Sequence, residues 1–409
     1  MELSYQIPMA RIKSQSFLNK DIIKCEEYYL VDKNNKRYVD FRSGLWNVPL
    51  GYSGSYMEKL KLALCDQIDN GMFYLDSHSY RTELYQCYSE RLLSFLNKGD
   101  SHFDRVFFTN SGSESTELAL KLVKKANETS KKKKIIVFKE GYHGTFFGGM
   151  SLSGIDSYIN EEYGNNRMET VFMSAPTDEH KFNKILDFIE SHYTEIAAFF
   201  IEPLVSSGGA LTISNSHLEL LLKVCRSHQI ITIFDEIATG FFRTKSRMYF
   251  HKLKSSPDII LISKALNNGV LPFGSVIASK EITNRLTGKY LDHFSTQNGN
   301  LLGIRLAYET LDYFMENESE IINVIEKFEA TWKTFQNRLS ITGQGAIFSV
   351  LLDSHTETHH IMERLKDLGY LVYFFECYEN SGLLLLPSYI LPVEELENIL
   401  QKIVDIKSI

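Results

Sequence analysis

The sequence predicts an α/β fold: a mostly parallel sheet flanked by helices, with a smaller α+β domain built from both ends of the chain. Three observations carry this. The middle of the chain alternates short apolar runs with helix-periodic stretches, the pattern of buried strands covered on both faces. Each run is followed by a turn with marked chemistry. The chain of 409 residues, 44% hydrophobic and 23% charged, is long enough to bury a large core without disulfide or metal staples.

The elements follow in order. Segments 28–31 and 37–40 flank Asp32-Lys33-Asn34-Asn35, a turn composition that predicts a hairpin. Apolar runs at 106–108, 135–138, 197–201, 230–234, 259–262 and 275–278 predict the sheet strands. A helix over 216–228 fits between two of them, because Leu218, Leu221, Leu222 and Cys225 fall at i, i+3, i+4 and i+7. Helices are predicted at 301–314 and 321–338. The expected division is 1–50 and 300–409 for the small domain and 51–299 for the large one.

Composition excludes several functions. A net charge of −7 lacks the basic face of a nucleic-acid binder. The block Lys131–Lys134, with Lys124 and Lys125 before it, reads as a solvated helix end. Cys25, Cys65, Cys87, Cys225 and Cys377 contain no C-x-x-C and read as reduced thiols of a cytoplasmic protein. The first twenty residues show no apolar signal region, and no apolar run is long enough to span a membrane. His355, His359 and His360 with Glu357 have helical spacing but no remote third ligand, so no metal is expected.

Ligands of open α/β sheets bind beyond the carboxyl ends of the strands, so the residues there define the candidate site. After 106–108 comes Asn110-Ser111-Gly112-Ser113-Glu114, a small-residue turn opening a helix, suited to a phosphate or to an ordinary N-cap. After 135–138 comes Gly141-Tyr142-His143-Gly144, after 197–201 Glu202-Pro203, and after 230–234 Asp235-Glu236. After 259–262 comes Ser263-Lys264, where burial would depress the lysine pKa and make it a nucleophile. A phosphate cup, an aromatic platform, a buried acid and a nucleophilic lysine at one sheet edge are the set that pyridoxal phosphate requires.

With these residues in that order, the sequence resembles the class III aminotransferases, pyridoxal-phosphate enzymes of fold type I, over nearly its whole length. Asn110-Ser111-Gly112-Ser113-Glu114 resembles the family's N-S-G-S-E, and Tyr142-His143-Gly144 its Y-H-G. Glu202-Pro203 with Gly208-Gly209 resembles E-P…G-G. Asp235-Glu236-Ile237-Ala238-Thr239-Gly240-Phe241-Phe242-Arg243-Thr244 resembles D-E-[VI]-x-T-G-F-G-R-T, and Pro257-Asp258 through Lys264 the segment around the cofactor-linking lysine. His293-Phe294-Ser295-Thr296 with Gly299-Asn300 resembles H-G-S-T-F-G-G-N. The resemblance implies that Lys264 binds the cofactor and shuttles a proton, and that Asp235 pairs with its ring nitrogen. It also implies that Ser111, Gly112 and Ser113 hold its phosphate and that Tyr142 stacks on it, with His143, Glu202, Ile237 and Ala238 completing the site. Thr296 would reach the phosphate in a second copy, implying a homodimer with shared active sites. No nucleic acid or membrane partner is expected.

The departures concern the substrate. Ala238 stands where many members have Gln, Phe242 and Phe294 replace glycines, and Gln297-Asn298 replace F-G. Leu384, three residues before Pro387, occupies the place of an Arg that clamps a substrate carboxylate, for which Arg42, Arg81 or Arg243 could substitute. Trp46 sits where amine transaminases place an aromatic wall. Trp46, Phe242 and Leu384 are therefore the expected substrate-pocket residues, and the expected substrate is an amine, an ω-amino compound or a specialised metabolite, including a peptide. Lys264 and Asp235 would serve an aminomutase, racemase or decarboxylase of this fold equally well, and a scaffold that keeps only the cofactor is the non-enzymatic alternative.

Overall fold

The chain opens with an antiparallel ladder of β1 (Ile22–Glu26), β2 (Tyr29–Asp32) and β3 (Arg37–Asp40). The expected hairpin turn closes on Asp32, whose Oδ1 accepts from the backbone N–H of Asn34 (2.8 Å) and of Lys36 (3.0 Å). These positions come from a computed structural model that describes residues 8, 21–155, 162–163, 168–378 and 380–408. The N-terminal stretch with no expected secretory signal lies, Pro8 apart, outside them.

The central sheet has seven strands: β4 (Phe103–Thr109), β5 (Lys134–Phe138), β6 (Thr170–Met173), β7 (Ile196–Ile201), β10 (Ile231–Asp235), β11 (Ile259–Ile262) and β12 (Gly274–Ser279). A short pair, β8 (Leu204–Val205) and β9 (Leu211–Thr212), lies between β7 and β10 in the chain. The spatial order is β4-β12-β11-β10-β7-β5-β6. Neighbours from β11 to β6 run parallel, whereas β12 is antiparallel to both β11 and β4. Six strands coincide with the predicted runs. The seventh, β6, is an edge strand without a buried residue; its short apolar run, Val171-Phe172-Met173, is not among the predicted strands.

The apolar runs are unbroken because both faces are covered. Side chains alternate between faces with period two: Phe199 and Ile201 join the core on one side, Ala198 and Phe200 that on the other. The helix Gly112–Ala126 supplies Leu118, Ala119, Leu122 and Val123 to one face. The helix Asn215–Ser227 buries the predicted stripe of Leu218, Leu221, Leu222 and Cys225 on the other.

The C-terminal region forms the antiparallel sheet β13-β14-β17-β16, with β13 (Ser340–Gln344), β14 (Ile347–Leu352), β16 (Tyr373–Cys377) and β17 (Asn380–Leu385). Strand β15 (Tyr370–Leu371) pairs in parallel with β3, so the two ends of the chain share one ladder. The helix Leu301–Glu316 packs against the helices Ser55–Asp69 and Glu83–Leu96. Among the described residues, no helix is long and apolar enough to cross a membrane.

Candidate active site

A cavity of about 450 Å³ opens at the carboxyl edge of the central sheet. The turn after β4 brings Ser111, Gly112 and Ser113 to its wall. Ser111 caps the following helix, its Oγ accepting from Glu114 N at 3.1 Å. The helix start presents backbone N–H groups and a positive dipole end to an anion. At Gly112 the backbone lies against Ile237, whose Cδ1 a Cβ would approach to 2.8 Å. Gly144, at φ +103°, lies so close that a Cβ would meet Ser113 Oγ at 2.6 Å.

Asp235 ends β10 and lies in register with Leu261 of β11, so Lys264 emerges three residues further along the neighbouring strand. Lys264 opens a short 3₁₀ turn, Lys264–Asn267, in a left-handed conformation at φ +48°. Burial lowers its pKa to about 8 and Arg243 pushes the same way, against the opposing pull of Asp235 and Glu202. A lysine so tuned supplies neutral amine near neutral pH.

Behind these groups lies a buried acid–histidine layer. His143 Nδ1 and Asp235 Oδ2 are 2.8 Å apart, and Asp235 Oδ1 accepts from Ile237 N at 3.2 Å. Burial alone would lower the His143 pKa, but the hydrogen bond and charge of Asp235 outweigh it and hold it above its ordinary value. Glu202 accepts from Tyr142 N (2.8 Å) and Ser206 N (3.1 Å). Burial raises its pKa, and the neighbouring charge of Asp235 adds to the rise. Tyr142, His143, Glu202, Asp235, Ile237, Ala238 and Lys264 all line the cavity.

Trp46 covers this group from the side, with Lys264 Nζ 4.1 Å from its ring centre. The chain reaches that position by a left-handed turn, Ser43, Gly44, Leu45 and Trp46 having φ of 42°, 55°, 58° and 69°. Each left-handed residue other than glycine costs about 1–2 kcal/mol. Asp40 offsets part of this cost: its Oδ2 accepts from Gly44 N (2.8 Å) and Tyr52 Oη (2.7 Å).

Four expected residues are not at the cavity wall. Trp46 is buried behind it, against Lys264. Phe242 is fully buried and packs against Phe95 and Phe314, at ring distances of 6.2 and 5.6 Å. At φ 72° its backbone turns the ring into the core. Leu384 is fully buried in β17, between Ser349 of β14 and Tyr373 of β16. The substrate-wall expectation for these two is corrected: each is a packing residue. Thr296 is exposed on a loop whose backbone accepts from Tyr74 Oη at 3.2 Å. In turn, the cavity includes Asn47, Ser207 and the 269–273 connection, which sequence reasoning missed. The connection reaches the site because β12 runs back antiparallel from the same edge. Its one local signal was Gly269, at φ +71°, where a Cβ would approach Asn47 Cβ to 2.9 Å.

This set fits pyridoxal phosphate: an anion cup at the helix start 111–113, a buried carboxylate on the floor, and a buried lysine of lowered pKa between them. Fold and site define a pyridoxal-phosphate enzyme. The model of the family "Aminotransferase class-III" matches residues 11–406, and the chain belongs to that family, whose members work with this cofactor. It is 28% identical to an adenosylmethionine-8-amino-7-oxononanoate aminotransferase of Helicobacter pylori, over 96% of this chain and 93% of the relative. It is 32% identical to an acetylornithine aminotransferase of Lactococcus lactis, over 86% and 88%. In fold it is similar to an aminotransferase of Vibrio fluvialis in its PMP-bound form, with a TM-score of 0.88, 24% identity and coverage of 99% and 97%.

Proposed function

We propose that this aminotransferase moves an amino group between a donor amine and a carbonyl acceptor by a ping-pong route. We further propose that one substrate is an amine, an ω-amino compound or a specialised metabolite, including a peptide, recognised without an arginine–carboxylate clamp. The observation that carries this is the cavity wall: among the described residues its lining contains no arginine. A bidentate arginine is the usual device for a carboxylate. Arg243 donates from Nη1 to Pro387 O at 2.7 Å and lies 5.2 Å from the Tyr389 ring. The relatives include an acetylornithine aminotransferase, an adenosylmethionine-8-amino-7-oxononanoate aminotransferase and a gamma aminobutyrate transaminase, a range that leaves the substrate to the pocket itself.

When bound, pyridoxal phosphate supplies the electron sink that makes a proton beside the amine nitrogen removable. The chain does the rest. Lys264 holds the cofactor and then carries the proton on Nζ, its lowered pKa allowing both acceptance and return. Asp235, steadied by His143, keeps a proton on the ring nitrogen. Ser111, Gly112 and Ser113 hold the phosphate, Tyr142 covers the ring, Glu202, Ile237 and Ala238 shape the floor, and Trp46 excludes water beside the lysine. Thr296 contributes from a second copy, and the enzyme works as a cytoplasmic homodimer with shared sites. The test is a donor and acceptor screen: amines should outperform glutamate and N-acetylornithine as donors, or peptide-borne carbonyls should outperform simple 2-keto acids as acceptors. Glutamate or N-acetylornithine as the preferred donor, with a 2-keto acid as the preferred acceptor, would overturn the substrate reading.

A further inference from the structure

Glu114 is the third residue of the helix Gly112–Ala126, and its two carboxylate oxygens serve two different elements. Oε2 accepts from Asn110 N (2.8 Å) and Asn110 Nδ2 (3.1 Å). Ser111 Oγ accepts from Glu114 N in return, so the helix start is closed by a reciprocal pair resembling a capping box but reaching Asn110, one residue before the N-cap, and this local closure accounts for Oε2. It does not explain Oε1, which accepts from Asn298 Nδ2 (2.8 Å) and pairs with His293 Nε2 (3.2 Å).

Both partners belong to loop 293–298, and further bonds tie the same two segments together. Asn298 Nδ2 also donates to Phe108 O (3.1 Å), at the end of β4, and Asn298 Oδ1 accepts from Ser295 N. Asn110, which lines the cavity, donates from Nδ2 to Ser295 Oγ at 3.0 Å. Burial would raise the Glu114 pKa, but the bonds from His293, Asn298 and Asn110 outweigh it and hold it at about 2. The carboxylate is thus a fixed charge, and hydrogen bonds to a charge are the strong ones. Asn298 is also one of the positions where the loop departs from the H-G-S-T-F-G-G-N pattern.

We propose that the Glu114–Asn298 pair is a positioning link that makes the phosphate turn 110–113 and loop 293–298 order together. An anion held on the turn then tightens the loop that carries Thr296, and docking of the loop tightens the anion site by the same factor, since such coupling is reciprocal. The inference rests on the reading that residues 110–113 hold the cofactor phosphate.

The test uses the full-length protein with pyridoxal 5′-phosphate, measuring uptake by visible absorbance and amide hydrogen exchange over 290–299 with and without cofactor. Glu114→Gln can still accept from Asn110 N and so retains the cap, but it sets an NH₂ group against the Asn298 amide donor. Asn298→Ala breaks the same contact from the other side. Wild type should show protection of 290–299 on cofactor uptake. Each variant should lose that protection and bind cofactor about 10-fold more weakly. The double variant should be within about 2-fold of the weaker single one. Wild type that takes up cofactor with unchanged exchange over 290–299, or losses that multiply in the double variant, would overturn the link alone. Wild type that takes up no cofactor would instead overturn the reading beneath it.

Discussion

Asp235, Lys264 and the 110–113 turn reach the cavity from strand ends of a single sheet, whereas Asn47 reaches its wall, and Trp46 the flank of Lys264, from a left-handed turn far away in sequence. At the first wall, position is set locally: an apolar strand runs out, and the next residue or two stand at the ligand edge. At the second, position depends on how the N-terminal ladder, β17 and the 269–273 connection pack. The difference separates the chemistry, which strand topology fixes, from the substrate wall, which tertiary packing fixes.

The comparison can be broken at several points. The largest effect is expected at Lys264: Lys264→Ala should abolish the visible absorbance of attached cofactor and reduce turnover on the order of 10⁴-fold. Asp235→Asn should follow, with turnover falling about 100-fold through loss of a placed charge while the protein still binds phosphate. At the packing side the readout changes from rate to stability. Leu384→Ala should cost about 2–5 kcal/mol and Phe242→Ala about 3–5 kcal/mol in denaturant unfolding, with KM for the best amine unaltered. A change in KM without loss of stability would return either residue to the pocket wall.

A smaller effect concerns pH. The Lys264 amine attacks only when neutral, and burial sets its pKa at about 8 in place of the ordinary value near 10.4. Capture of cofactor by protein freed of it should therefore accelerate as pH rises and level off above about pH 8, followed by stopped-flow absorbance. Acceleration continuing to pH 10 would show the amine to be solvated.

Legibility in the sequence follows the same division. Six of seven sheet strands were readable as uninterrupted apolar runs, the interior ones because both their faces are buried; β6 was missed although its run Val171-Phe172-Met173 is as long as that of the other edge strand, β4. The cup, Tyr142, His143, Glu202, Asp235 and Lys264 were readable as residues that follow such runs. Phe242 and Leu384 were misplaced because their side-chain direction is decided elsewhere: by a left-handed backbone at Phe242 and by cross-strand packing against Ser349 and Tyr373 at Leu384. Ser207 and the 269–273 connection carried too little local pattern to mark them as lining.

The central claim is that the lysine and acid at the sheet edge serve amino-group transfer. It is tested most directly by the half-reaction of purified enzyme loaded with pyridoxal phosphate. Addition of a donor amine should bleach the visible band with one carbonyl product released per site, and a carbonyl acceptor should restore it. A band that decays with release of carbon dioxide, or that no acceptor restores, would contradict the account.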